Sequence, residues 1–125
     1  MRLNHLDLPV RDIDAARQFF ERHFGFRCLH AVPARLAVLA DRADFRLVLS
    51  AVASGASPDF PSGFHIGFLL PTDDAVHECH ARLAADAPIV RPLGRLAGAP
   101  TFHCHAPGPV PIEISCRAPG GPAPG

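Results

Sequence analysis

The chain has no tryptophan, no tyrosine and no lysine among its 125 residues. Proteins that sequester a ligand by stacking usually do so between Trp or Tyr rings, so here nine phenylalanines would have to serve. An excess of one charge is also missing. Twelve basic residues balance twelve acidic ones, which leaves no electrostatic footprint for nucleic acid or an anionic membrane. The apolar runs, such as 36–40 and 66–70, fall far short of a membrane span. The N-terminus enters a strand-like pattern with Asp7 inside it, so no signal peptide is expected. Paired cysteine spacing is absent as well. Cys28, Cys79, Cys104 and Cys116 are expected as reduced thiols used as small hydrophobes, with the chain in the cytoplasm.

What is present reads as globular. An apolar content of 48% with 19% charge is far from the disordered range, and a chain this long buries about two-thirds of its unfolded surface. In residues 5–10, HLDLPV, apolar Leu6, Leu8 and Val10 alternate with His5, Asp7 and Pro9, the period of a half-buried strand. Asp12 then caps a helix carrying Ile13, Ala16, Phe19, Phe20 and Phe24, and Gly25 stands where a helix stops. Three strand-like stretches follow at 26–31, 35–41 and 45–52, with Pro33 and residues 41–44 at the turns.

The small, proline-broken segment 53–63 reads as a linker, after which the pattern restarts. Residues 64–70 alternate as a strand, and Thr72 caps a second helix with Val76, Cys79 and Leu83 on its buried stripe. Strands are expected at 89–96, 100–106 and 110–117, and residues 118–125 as a disordered tail. The two halves, 1–52 and 64–117, are two βαβββ units with an offset of 60 residues, which superposes His5 on His65. A unit of this kind does not bury its sheet face alone, so two must pair, within one chain or across a dimer. The expected class is α+β, with paired units forming a curved mixed sheet around a cavity.

Two histidines at equivalent positions of a repeat are harder to assign to packing than one. If His5 and His65 face a common cavity, a third donor belongs on a late strand. Glu113 sits there between Ile112 and Ile114, and a carboxylate in a central strand is costly unless paired or bound to a cation. Two imidazoles and one carboxylate suit Fe(II), Mn(II), Ni(II) or Zn(II), and three protein ligands leave positions open for substrate or O₂.

The strand NHLDLPV, the helix RDIDAARQFFERHFGF, the restart FHIGFLL and the end strand PIEIS resemble the vicinal oxygen chelate superfamily, which includes glyoxalases, extradiol dioxygenases, fosfomycin-resistance transferases and bleomycin-binding proteins. The resemblance covers residues 2–117. It implies metal ligands at His5, His65 and Glu113. Glyoxalase-like members add a glutamate on the fourth strand, but residues 45–50 hold no carboxylate. Fosfomycin transferases use a threonine two residues after the first histidine, with Lys, Arg and Tyr; here Asp7 occupies the threonine's place, and the chain has no Lys or Tyr. Extradiol dioxygenases carry a substrate-binding tyrosine ten residues before the glutamate, where this chain has His103.

His103 is therefore the candidate acid–base group, since imidazole titrates near neutral pH, with a partly exposed strand histidine as the other account. His105 shares its face. Asp7 either orients a ligand or meets solvent at the sheet rim. Leu47, Leu49 and Leu69 either line a cavity suited to a hydrophobic substrate or are core. The expected activity is a dioxygenase-like reaction on a small hydrophobic or aromatic oxygen chelator, using a divalent ion, Fe(II) before Mn, Ni or Zn, in a homodimer. The alternatives are a glyoxalase- or epimerase-like lyase or isomerase, or a drug- or metabolite-sequestering protein.

Overall fold

The computed structural model describes residues 1–53 and 60–116. Most of the expected linker (54–59) and the expected tail (118–125) lie outside them. The chain divides into two compact units: one takes residues up to Pro61 together with Ala106–Val110, and the other Ser62–His105 with the chain from Pro111 onward.

In the first unit the order is β1 (His5–Val10), α1 (Ile13–Phe24), β2 (Arg27–Val32), β3 (Leu36–Ala40) and β4 (Arg46–Ala51). The sheet runs β1-β4-β3-β2, with β1 parallel to β4 and the other pairs antiparallel. The Asp12 carboxylate accepts a hydrogen bond from the Ala15 amide at 3.0 Å, and Gly25 closes α1 in the left-handed region at φ 70°. An L side chain is disfavoured there, which is why glycine ends this helix. The buried stripe of α1 is Ile13, Ala16, Phe19, Phe20 and His23. It packs on β2, β3 and β4, over Leu39, Leu47 and Leu49. The expected turn between β3 and β4 is built by Asp41, whose carboxylate accepts from the Ala43 and Phe45 amides at 2.9 Å each. Aspartate suits this place because its short side chain replaces a backbone acceptor.

The second unit repeats the order with β5 (Ile66–Leu70), α2 (Asp73–Ala84), β6 (Ile89–Leu96), β7 (Ala99–Ala106) and β8 (Val110–Cys116). Its sheet is β5-β8-β7-β6, with β5 parallel to β8 and β6 antiparallel to β7. Thr72 caps α2 through the Ala75 amide at 3.1 Å. Val76, Cys79 and Leu83 of α2 are buried, as are Phe102, Cys104, Ile112 and Ile114 of the sheet. The α+β class with two βαβββ units is thus what the chain adopts. All four cysteines are free, and no helix among the described residues is long and apolar enough to cross a membrane.

Candidate metal centre

Strand β8 sets the site. Its burial alternates strictly: Val110, Ile112, Ile114 and Cys116 are buried, while Glu113 and Ser115 are half-buried on the opposite face. In the parallel register with β5, Glu113 stands beside Gly67. His65 precedes Gly67 by two residues and shares its face. Its Nε2 lies 2.8 Å from Glu113 Oε2, and its Nδ1 lies 3.0 Å from the Gly63 carbonyl oxygen. A carbonyl accepts only, so Nδ1 carries the hydrogen and Nε2 is the nitrogen offered to a cation. Histidines that bind metals are oriented in this way, through the nitrogen that does not ligate.

His103 arrives from β7. Its Nε2 is 3.5 Å from the same Glu113 oxygen, and its ring centroid is 5.6 Å from that of His65. This Nε2 is buried and has no hydrogen-bond partner. Burial holds the His103 pKa below the ordinary histidine value; the Glu113 charge opposes that shift, and Arg91 and His65 reinforce it. His103 is thereby biased toward its neutral form. Among the described residues, no set of three or more His, Cys, Asp or Glu side chains is spaced to hold an ion as it stands. The His65 and Glu113 donors instead touch each other. Their chemistry fits a divalent cation, because an imidazole nitrogen and a carboxylate oxygen converge on one spot.

The remaining expected residues fall as follows. His5 opens β1 in the first unit, exposed, with Nδ1 2.8 Å from Asn4 Oδ1. Asp7 shares the His5 face and accepts a hydrogen bond from Ser50 Oγ. A cleft of about 390 Å³ beside His5 is lined by Asn4, Val38, Asp44, Arg46 and Val48. His105 is half-buried on the His103 face, and its amide donates to the Pro88 carbonyl at 3.1 Å.

Two leucines need correcting. Leu47 and Leu49 are 2% and 0% exposed and belong to the core under α1. The register pairs His5 with Arg46 and Asp7 with Val48, so the β4 residues on the histidine face are Arg46, Val48 and Ser50. Apolar alternation identified the right strand, but without register it did not say which side was the core. Leu69 differs: it shares the face of His65 and Gly67 and is 66% exposed.

Residues that pattern reading missed include Gly63, whose carbonyl oxygen holds the His65 ring, and Arg91, the Cα partner of His103 across β6 and β7. Pro92 and Gly94 break the alternation of β6, and its register shifts on both sides of Arg91, so no periodicity revealed its face.

Two repeated βαβββ units, each with one helix on a four-stranded mixed sheet, define a class of small α+β proteins. Residues 2–114 match the model of the glyoxalase/bleomycin resistance protein/dioxygenase superfamily, and the chain belongs to that family. A possible glyoxalase from Bacillus cereus is 33% identical with a TM-score of 0.80, the match covering 93% of this chain and 99% of that one. A glyoxalase/bleomycin resistance protein/dioxygenase from Alicyclobacillus acidocaldarius is 20% identical over 92% of this chain and 90% of its own, with a TM-score of 0.70. A mutant of the fosfomycin resistance protein FosX from Listeria monocytogenes, complexed with Mn(II) and a dihydroxypropylphosphonic acid, is 17% identical over 90% and 87%, with a TM-score of 0.75. The last two likenesses are of fold. No curated protein matches the sequence.

Proposed function

We propose that this chain is a metal-dependent enzyme of the vicinal oxygen chelate type, acting as a dioxygenase on a small hydrophobic or aromatic substrate with adjacent oxygens. His65 and Glu113 hold a divalent ion, Fe(II) in preference to Mn, Ni or Zn, with His5 as a further ligand. The observation that carries this reading is the His65 ring, tied at Nδ1 by the Gly63 carbonyl and offering Nε2 to Glu113. Bound there, the ion supplies Lewis acidity toward the two substrate oxygens and a centre for O₂ chemistry.

The residues around it have separate tasks. His103, kept neutral by burial, takes a hydroxyl proton from the substrate onto Nε2. His105, Leu69 and Asp7 contact the substrate or the water around it, with Leu69 giving the apolar surface that Leu47 and Leu49 do not. The second reading, a glyoxalase-like lyase or isomerase, is favoured by the likeness to the possible glyoxalase from Bacillus cereus. The absence of a carboxylate from β4 counts against it.

Elemental analysis of protein purified without chelator tests the reading first. It expects a bound or readily taken up divalent ion, strongly weakened by His65→Ala or Glu113→Ala. No uptake of Fe(II), Mn(II), Ni(II) or Zn(II) would overturn it and leave sequestration of a metabolite as the surviving function. Oxygen consumption with catechols, set against isomerisation of a hemithioacetal, separates the oxygenase from the lyase.

A further inference from the structure

The open face of the second sheet carries a row of polar side chains: His65 just before β5, Glu113 on β8, His103 on β7 and Arg91 on β6. The first three touch one another. Arg91 is exposed and lies directly opposite His103 in the antiparallel register, so the two side chains leave the sheet on the same side. Some arginines of the chain are matched to carboxylates: Arg17 to Asp14 and Glu21, Arg46 to Asp44, Arg95 to Asp73. Arg91 makes no hydrogen bond or ion pair among the described residues.

We propose that Arg91 is the anchor for an anionic group on the substrate, and that the substrate is therefore an acid: a carboxylate joined to the pair of oxygens that chelate the metal. This rests on the metal-enzyme reading above. Guanidinium is the group suited to such a task, since it stays charged at any working pH and meets a carboxylate with two parallel N–H donors. Its distance from the ligands sets the size of the acid. One strand separates β8 from β6, which is roughly 10 Å across the sheet at ordinary strand spacing, less the reach of the Glu113 and Arg91 side chains toward each other. A single substituted ring or a short aliphatic acid spans that gap. The His103 ring lies between the two ends, on the strand that separates Glu113 from Arg91.

The test compares catechol with protocatechuate, which differ by one carboxylate, as ligands of the Fe(II)-loaded protein without oxygen, by calorimetry. The full chain should bind protocatechuate about tenfold more tightly or better, the scale of one charge-assisted contact. Arg91→Gln should bring the two ligands to within about twofold while leaving catechol affinity and iron content unchanged, and Arg91→Lys should recover part of the preference. Added salt should shrink the preference in the unaltered protein, because Arg91 is exposed. Equal binding of the two ligands by the unaltered protein, or a preference that survives Arg91→Gln, overturns the anchor alone. Failure to take up iron overturns the metal site and the anchor together, so the two failures are told apart by the iron content.

Discussion

Glu113 shows how one residue acquires meaning from its neighbours. Between two buried isoleucines it would be a liability, and its half-buried carboxylate lies 2.8 Å from His65 Nε2 and 3.5 Å from His103 Nε2. Replacing Glu113 with Gln keeps the shape and removes the charge. Metal affinity should fall by more than the roughly 10- to 100-fold that follows loss of an outer hydrogen-bond partner, while the circular dichroism spectrum stays that of the folded chain. The cysteines are a different case. Burial pushes the Cys104 thiol up to about 11 from 9.0. The folded state therefore favours the neutral thiol, and its stabilisation is complete below the unfolded pKa and lost as pH rises through the folded one. Urea unfolding should show stability declining above about pH 9, by on the order of 2 kcal/mol from this group. Cys104→Ala should flatten that decline. An equally steep decline in the variant would assign it to other groups.

At the scale of elements, the two helices were legible because their ends are chemically marked. Asp12 and Thr72 bond the amides expected of them, and Gly25 takes up its left-handed conformation. Asp12→Ala or Thr72→Ala should each cost about 1 kcal/mol in denaturant unfolding. Phe20, fully buried on the α1 stripe, should cost about 3–5 kcal/mol when replaced by Ala. The turn at Gly108 was less legible. At φ 152° an added Cβ would lie 2.9 Å from Val110 Cγ2 and 3.2 Å from Val10 Cγ1. Gly108→Ala should therefore destabilise the first unit by about 1–3 kcal/mol, measurable as a lowered Tm with the Gly98→Ala variant as an uncrowded comparison. The edge strand β6 was the hardest to read. Its proline and glycine interrupt the alternation that would have placed Arg91.

For the whole molecule, the repeat is the organising fact. Each unit carries one helix on one four-stranded sheet, and each brings its histidine to the start of its own first strand. We propose a homodimer in solution, and sedimentation equilibrium should return twice the chain mass. A monomer at all concentrations would restrict every ligand set to one chain. Mixing His5→Ala with Glu113→Gln chains then decides which copy supplies His5: recovered metal binding assigns it to a second copy, and no recovery assigns it to the same one.

By itself the sequence determined the two βαβββ units, their caps and turns, and the three polar residues His65, His103 and Glu113 that the second sheet gathers. It could do so because local periodicity, capping chemistry and an internal repeat are written in adjacent residues. Only the tertiary structure decided which face of each strand is open. Register between β1 and β4 moved Leu47 and Leu49 into the core, and register between β6 and β7 put Arg91 beside His103. Strand alternation has two sides that look alike until a helix covers one of them. The hydrogen bond from His65 to the Gly63 carbonyl is local, two residues apart, yet it too escaped the sequence, because it depends on a backbone oxygen that no side-chain pattern reports.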